Sequence, residues 1–155
     1  MTLVNVVYED RLTLAVIEKI FTLRNDLEIC TRIHACSSGK IRKNVSKYNQ
    51  AAGFGNAFFV LADLDLNSCL VLMRDEWLER RPLHPRLFFR IVVREIEAWI
   101  LADRQNFADF LGCALSKIPE NPDVLPDPKE CLINLAKKTK KKDIREIAPA
   151  DSTAR

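Results

Sequence analysis

No stretch of this sequence approaches the about 18 consecutive apolar residues that a membrane-crossing helix needs. The opening MTLVNVVYED carries neither a basic leader nor a small-residue cleavage site. A cytoplasmic protein with no membrane partner is the expectation. Histidine is scarce, with His34 and His84 alone, and none of the five cysteines (Cys30, Cys36, Cys69, Cys113, Cys131) forms a CxxC pair. A zinc site of thiolates and imidazoles needs clustered ligands, so that chemistry is disfavoured. An odd, widely spaced set of cysteines among apolar neighbours reads as reduced core thiols of a cytosolic chain, not as a disulfide framework. Internal repeats are absent, and only the run KKTKKK is of low complexity.

What the sequence does have is enough apolar material, 48% of 155 residues, for one main domain with a real core. The net charge is only +3, although KKTKKK places five lysines between Lys137 and Lys142. Without those five, 19 basic residues face 21 acidic ones. A slightly acidic body with one basic patch suits a local anionic partner better than general adhesion to nucleic acid.

Along the chain, Leu3–Tyr8 is a β-branched apolar run that reads as a strand covered on both faces. Leu12, Val16, Ile17, Ile20 and Leu23 then recur at helical spacing. Leu27–Ala35 reads as a strand nearer a sheet edge, because its alternation is weaker. Lys40–Ala52 is a polar helix with Ile41, Val45 and Tyr48 inward. Ala57–Ala62 (AFFVLA) is the most apolar strand and should be central. Asn67 or Ser68 is the expected N-cap of a helix over Leu70–Leu78. A fourth strand over Leu87–Val93 leads into one long helix over Glu95–Leu111 that Gly112 terminates. KIPENPDVLPDPKE holds four prolines, so no regular element continues until Pro128, a good first-turn residue for the next helix. The order βαβαβαβα predicts an α/β fold: a Rossmann-like, mostly parallel four-stranded sheet with helices on both faces. The expected domain spans 1–112, with a proline-rich loop and C-terminal helices over 113–155 packed on it. Because DIREIAPADSTAR supplies no closing element, a larger operating unit is expected.

Ligands of open parallel sheets gather at the carboxyl ends of the strands. Glu9 lies at such an end, as do Asp63 and Asp65, and Arg94, Glu95 and Glu97 follow the next strand. Crowded carboxylates repel one another, so they either retain a proton or recruit a cation. Mg²⁺ prefers oxygen ligands and is commonly held by one or two carboxylates plus substrate phosphate. If Asp63 and Asp65 stay extended, both point to one side while Leu64 packs on the other, and the pair forms a pincer. DLD after a strand is also a common cap and turn composition. The shared sheet end is what favours a metal site.

The succession strand, Glu, helix, strand, helix, strand, Asp-x-Asp, here VVYE to Glu9 and VLADLD carrying Asp63 and Asp65, resembles the Toprim domain. That domain is shared by topoisomerases, bacterial primases and overcoming-lysogenization-defect nucleases. The stretch RIVVREIEAWILAD, with PDPKE downstream, is similar to uncharacterised bacterial Toprim-like proteins related to those nucleases and often considered alongside ATPase partners in phage defence. The resemblance covers most of the chain. It implies a metal-dependent nuclease in which Asp63 and Asp65 hold Mg²⁺ or Mn²⁺ and Glu9 is general acid/base or a further metal ligand. By the same resemblance Glu95 is a metal ligand, Glu97 a catalytic acid that helps hold a second ion, and Lys129 a group that stabilises developing charge. It also implies nucleic acid, DNA first, as partner, an ATPase as a second partner, and leaves room for homo-oligomers. Where the family commonly has Gly after the strand-one Glu, this sequence has Asp10 and Arg11, which alters the turn at which backbone approaches phosphate. The alternatives are a non-catalytic Toprim-like binding or regulatory module, and nucleotidyl transfer.

Other residues carry weaker signals. Lys40 and Lys43, in one stripe with Lys47 behind Ser37-Ser38-Gly39, together with Arg94, Lys137 and Lys138, are the candidate nucleic-acid contacts. Solvated helix faces and ends explain the lysines equally simply. Trp99 reads as core, Trp77 is open to either reading, and His34 and His84 are assigned to structure.

Overall fold

A computed structural model describes residues 1–65 and 69–148. Four strands, β1 (Thr2–Tyr8), β2 (Leu27–His34), β3 (Ala57–Asp63) and β4 (Leu87–Val92), form one sheet in the order β2-β1-β3-β4, with every pair parallel. Helices α1 (Arg11–Thr22), α2 (Ser38–Ala52) and α3 (Leu70–Trp77) make the crossovers. The architecture is α/β and Rossmann-like, as the alternation of elements predicts. β3 lies inside the sheet because it has almost nothing polar to show to water: Val60 and Leu61 are fully buried. Burial of each such side chain stabilises the fold by about 1.5–3 kcal/mol.

The pleat separates the two faces. Phe58, Val60 and Ala62 of β3 join Val7, Leu87 and Phe89 in a cluster with Ile41 and Val45 of α2 and Met73 and Trp77 of α3. Trp77 is therefore core, its ring 6.0 Å from that of Phe89. Phe59 points the other way and meets Phe21 of α1 edge-on, with centroids 5.9 Å apart. The buried stripe of α1 is Thr13, Ile17 and Phe21, while Leu23 is exposed. Ile17 is inward as expected, but the helix ends at Thr22, so Leu23 is its exposed C-cap and the buried stripe ends on Phe21.

β2 is an edge strand, and it carries one irregularity: Val4 pairs with Ile29 but Asn5 pairs with Thr31, leaving Cys30 as the extra residue of a bulge. All five cysteines are free thiols. Cys113 and Cys131 are half-buried against the apolar cluster of Leu101, Phe107 and Leu111, as core thiols are. For Cys30 and Cys36, which are exposed, the expectation is corrected; on an edge strand such as that of Cys30, half of the residues face solvent.

The chain divides into two compact units, Met1–Val92 and Val93–Arg155. The second unit departs from the sequence reading at its start. Instead of one helix over Glu95–Leu111 there are two, α4 (Ile96–Ala102) and α5 (Arg104–Leu111), broken at Asp103, whose φ −81° and ψ 59° are not helical. Asp103 accepts hydrogen bonds from Asn106 Nδ2 at 2.9 and 3.0 Å. These bonds join two side chains, and the Asp103 carboxylate makes no cap bond to the backbone of α5. Trp99, expected in the core, is 38% exposed. The end of α5 is as expected: Gly112 adopts φ 66°, its N–H donates to Asp109 O, and Cys113 N–H donates to Ala108 O, a Schellman closure. The proline-rich stretch contributes two single 3₁₀ turns, Leu115–Lys117 and Pro122–Val124. Pro128 then opens α6 (Pro128–Lys137), capped by Asp127, whose carboxylate accepts from Glu130 N–H at 2.6 Å. α7 (Lys142–Ile147) is the last element among the described residues. Leu101, Phe107, Leu111 and Ile118 centre this unit's own core.

Candidate functional site

The order β2-β1-β3-β4 makes the chain leave β1 toward one side and return on the other, so the switch point lies between β1 and β3. Ligands of open parallel sheets bind outside the carboxyl ends at that point. Glu9 follows β1, Asp63 ends β3, and Asp65 lies two residues beyond, so the three acids singled out in the sequence share one edge of one sheet.

Each is held from behind. The β1–β2 pairing runs on past the strand end: Ala35 N–H donates to Tyr8 O at 2.8 Å, and His34 Nε2 lies 2.8 Å from Glu9 O. Asp10 then caps α1, its carboxylate accepting from Thr13 N–H at 2.8 Å. Asp10 has φ −138°, an extended conformation open to any residue, so the turn after Glu9 needs no glycine. Glu9 and Asp63 are both half-buried.

Asp65 behaves differently. Leu64 N–H donates to Val92 O at 2.9 Å and its side chain is buried, but at Asp65 the backbone turns into the left-handed region, with φ 51°. Asp and Asn tolerate this conformation better than most residues. The strand alternation therefore stops at Leu64, and the condition for an extended Asp-x-Asp pincer is not met. Desolvation by the surrounding chain raises the Asp65 carboxyl above its ordinary value, although the side chain keeps contact with solvent. A cation beside it would oppose that shift.

Among the described residues, no three or more His, Cys, Asp or Glu side chains group so as to hold a metal ion. An ion on this edge would have to be held by one or two carboxylates and completed by phosphate and water, as Mg²⁺ commonly is.

Arg94, Glu95, Glu97, Lys129, Lys137 and Lys138 belong to the second unit. Arg94 has φ 63°, and its Nε donates to Asp123 O at 3.4 Å. Glu97 is buried and follows Glu95 in the first turn of α4. Lys129 is half-buried near the start of α6, while Lys138 is exposed beyond its end. In the first unit Lys40, Lys43 and Lys47 are exposed on α2. Lys47 Nζ donates to Asn44 Oδ1 at 3.4 Å, an ordinary surface contact. The expected N-cap residues Asn67 and Ser68 lie outside the described residues.

One pair on this edge escaped the sequence reading. His34 ends β2, and its Nδ1 lies 3.6 Å from the thiol of Cys36. The His-x-Cys spacing was the available signal, but a single cysteine near a single histidine is common, and only the turn after β2 brings the two side chains together.

No family model, no curated protein and no solved structure matches this chain.

Proposed function

We propose that the chain is a divalent-metal-dependent phosphodiesterase of the Toprim type, a nuclease whose centre is the carboxyl edge of β1 and β3. The observation that carries this reading is the placement of Glu9 and the Asp63-Leu64-Asp65 segment on the two strands that flank the switch point. Asp63 and Asp65 are assigned to hold Mg²⁺ or Mn²⁺. Such an ion supplies Lewis-acid stabilisation of charge on a phosphoryl oxygen. Glu9, fixed through its own carbonyl and the Asp10 cap, is assigned to move a proton between water and substrate. Nucleic acid, DNA first, is the proposed substrate, and by the same resemblance an ATPase is the proposed partner.

A non-catalytic binding module is the second reading. The absence of a three-ligand group among the described residues favours it, since a site that holds no ion by itself can still bind phosphate.

Thermal unfolding of wild type and Asp63→Ala under Mg²⁺ or Mn²⁺ titration tests the proposal. At about 100 times the dissociation constant, linkage predicts roughly 2.7 kcal/mol of stabilisation in the wild type and its loss in the variant. Metal-dependent cleavage of single- or double-stranded DNA that disappears in Glu9→Gln then separates the nuclease from the binding module. Metal binding without cleavage, alone or with an ATPase, leaves the binding module.

A further inference from the structure

At the end of β2 the chain builds a nucleophile, a base and a group that orients the base. His34 Nε2 lies 2.8 Å from the carbonyl oxygen of Glu9. A carbonyl only accepts, so Nε2 carries the proton, and in the neutral ring Nδ1 keeps its lone pair. That lone pair is toward the thiol of Cys36, 3.6 Å away. The ring is further held by Tyr8, which stacks on it with centroids 5.2 Å apart and planes 12° from parallel. The Cys36 thiol also approaches the carbonyl oxygen of His34, at 3.8 Å. Cys36 is exposed, and its backbone is left-handed, with φ 63°, unusual for a residue with a side chain. Ser37 then caps α2, a helix of 15 residues.

We infer that Cys36 is a nucleophilic thiol with His34 as its base, a modification site for small electrophiles and in particular for peroxides. The geometry of His34 and Cys36 carries the inference; His34 also holds the carbonyl of Glu9, so the test reads the thiol and not the carboxylate edge. With a peroxide, the sulfur attacks one peroxide oxygen; the S–O bond forms as the O–O bond breaks. Sulfur is oxidised to the sulfenic acid and peroxide oxygen is reduced. The thiol proton passes to His34 Nδ1 and then to the departing hydroxide, which leaves as water. With a haloacetamide, the S–C bond forms, halide leaves with its electron pair, and the proton is released through His34 to solvent.

Cys30 supplies an internal control. It is exposed, lies within β2 itself, and has the Thr31 hydroxyl beside its sulfur, at 3.8 Å. An ordinary thiol is only about 3% ionised at pH 7, which leaves room for a paired base to accelerate attack. The experiment is limited alkylation of the whole reduced chain with iodoacetamide at neutral pH, read at each cysteine by peptide mass spectrometry, in wild type and His34→Gln. The expected result is alkylation of Cys36 about tenfold faster than of Cys30, with the advantage lost in His34→Gln. An unchanged thermal-unfolding midpoint in that variant reports an intact fold, and Cys30 gives the rate of an unpaired thiol in the same sample. Dilute hydrogen peroxide followed by dimedone should place the dimedone mass on Cys36 and not on Cys30. Equal rates at the two thiols, an advantage that survives in a folded His34→Gln, or no dimedone adduct at Cys36 would overturn the inference.

Discussion

The amide of Leu64 donates to the carbonyl of Val92 at 2.9 Å, carrying the β3–β4 ladder one residue past Asp63 before Asp65 turns to φ 51°. That bond decides what the DLD sequence becomes. Asp63 stays in register with the sheet, Leu64 is pulled into the core, and Asp65 is released into a turn. The two carboxylates are therefore fixed by different parts of the chain, one by strand pairing and the other by turn geometry.

A pH dependence follows from Asp65. Its carboxyl is raised above the ordinary value because desolvation disfavours the charged form. Folding thus takes up protons at this site. Its stabilising contribution is present below the unfolded carboxylate range, about pH 4, and is lost as pH rises through the higher folded value. Thermal unfolding from that range to neutrality should show the wild type losing stability relative to Asp65→Asn. Saturating Mg²⁺ should narrow the gap. A constant difference across the range would show that Asp65 does not titrate as described.

Asn49 is the polar pin of the first unit. Buried on α2, it donates from Nδ2 to Pro82 O at 2.9 Å and accepts through Oδ1 from His84 N–H at 2.8 Å, so that one side chain holds the turn leading into β4. Asn49→Ala removes both partners and leaves a carbonyl and an amide without their bonds, at a cost of about 1–3 kcal/mol for each that water does not reach. Urea unfolding should show a lower midpoint with little change in slope. A change below about 0.5 kcal/mol would mean that water replaces both bonds.

Gly112 closes α5 at φ 66°, and a Cβ there would lie 3.3 Å from Lys141 Cε. Lys141 itself donates from Nζ to Asp109 O at 3.1 Å and to Phe110 O, placing its charge on the carbonyl end of that helix. Gly112→Ala should destabilise the chain by about 1–2 kcal/mol through the left-handed backbone, and by more if Lys141 must leave its carbonyls. The double variant Gly112→Ala with Lys141→Ala separates the two effects. If the backbone alone is responsible, the costs add; relief of the Lys141 contact would make the sum smaller.

The sequence by itself determined the succession of elements and the parallel sheet, because its apolar runs are short, β-branched and spaced for helical crossovers. It determined that β3 is interior and β2 an edge, since a strand with polar residues on both faces cannot be covered on both. Gly112 and Pro128 were legible because each does locally what the residue type demands. The acids Glu9, Asp63 and Asp65 could be placed at strand ends because the apolar runs before them end there. Tertiary structure decided what depends on distant partners. The left-handed turn at Asp65 ends the alternation after Leu64, α1 stops at Thr22 so that Phe21 and not Leu23 closes its inner stripe, and a non-helical Asp103 interrupts a periodicity that reads as one helix. It also decided that His34 and Cys36 meet, because the contact depends on a left-handed turn at Cys36 and on a carbonyl 25 residues earlier in the chain, neither of which leaves a mark in local composition.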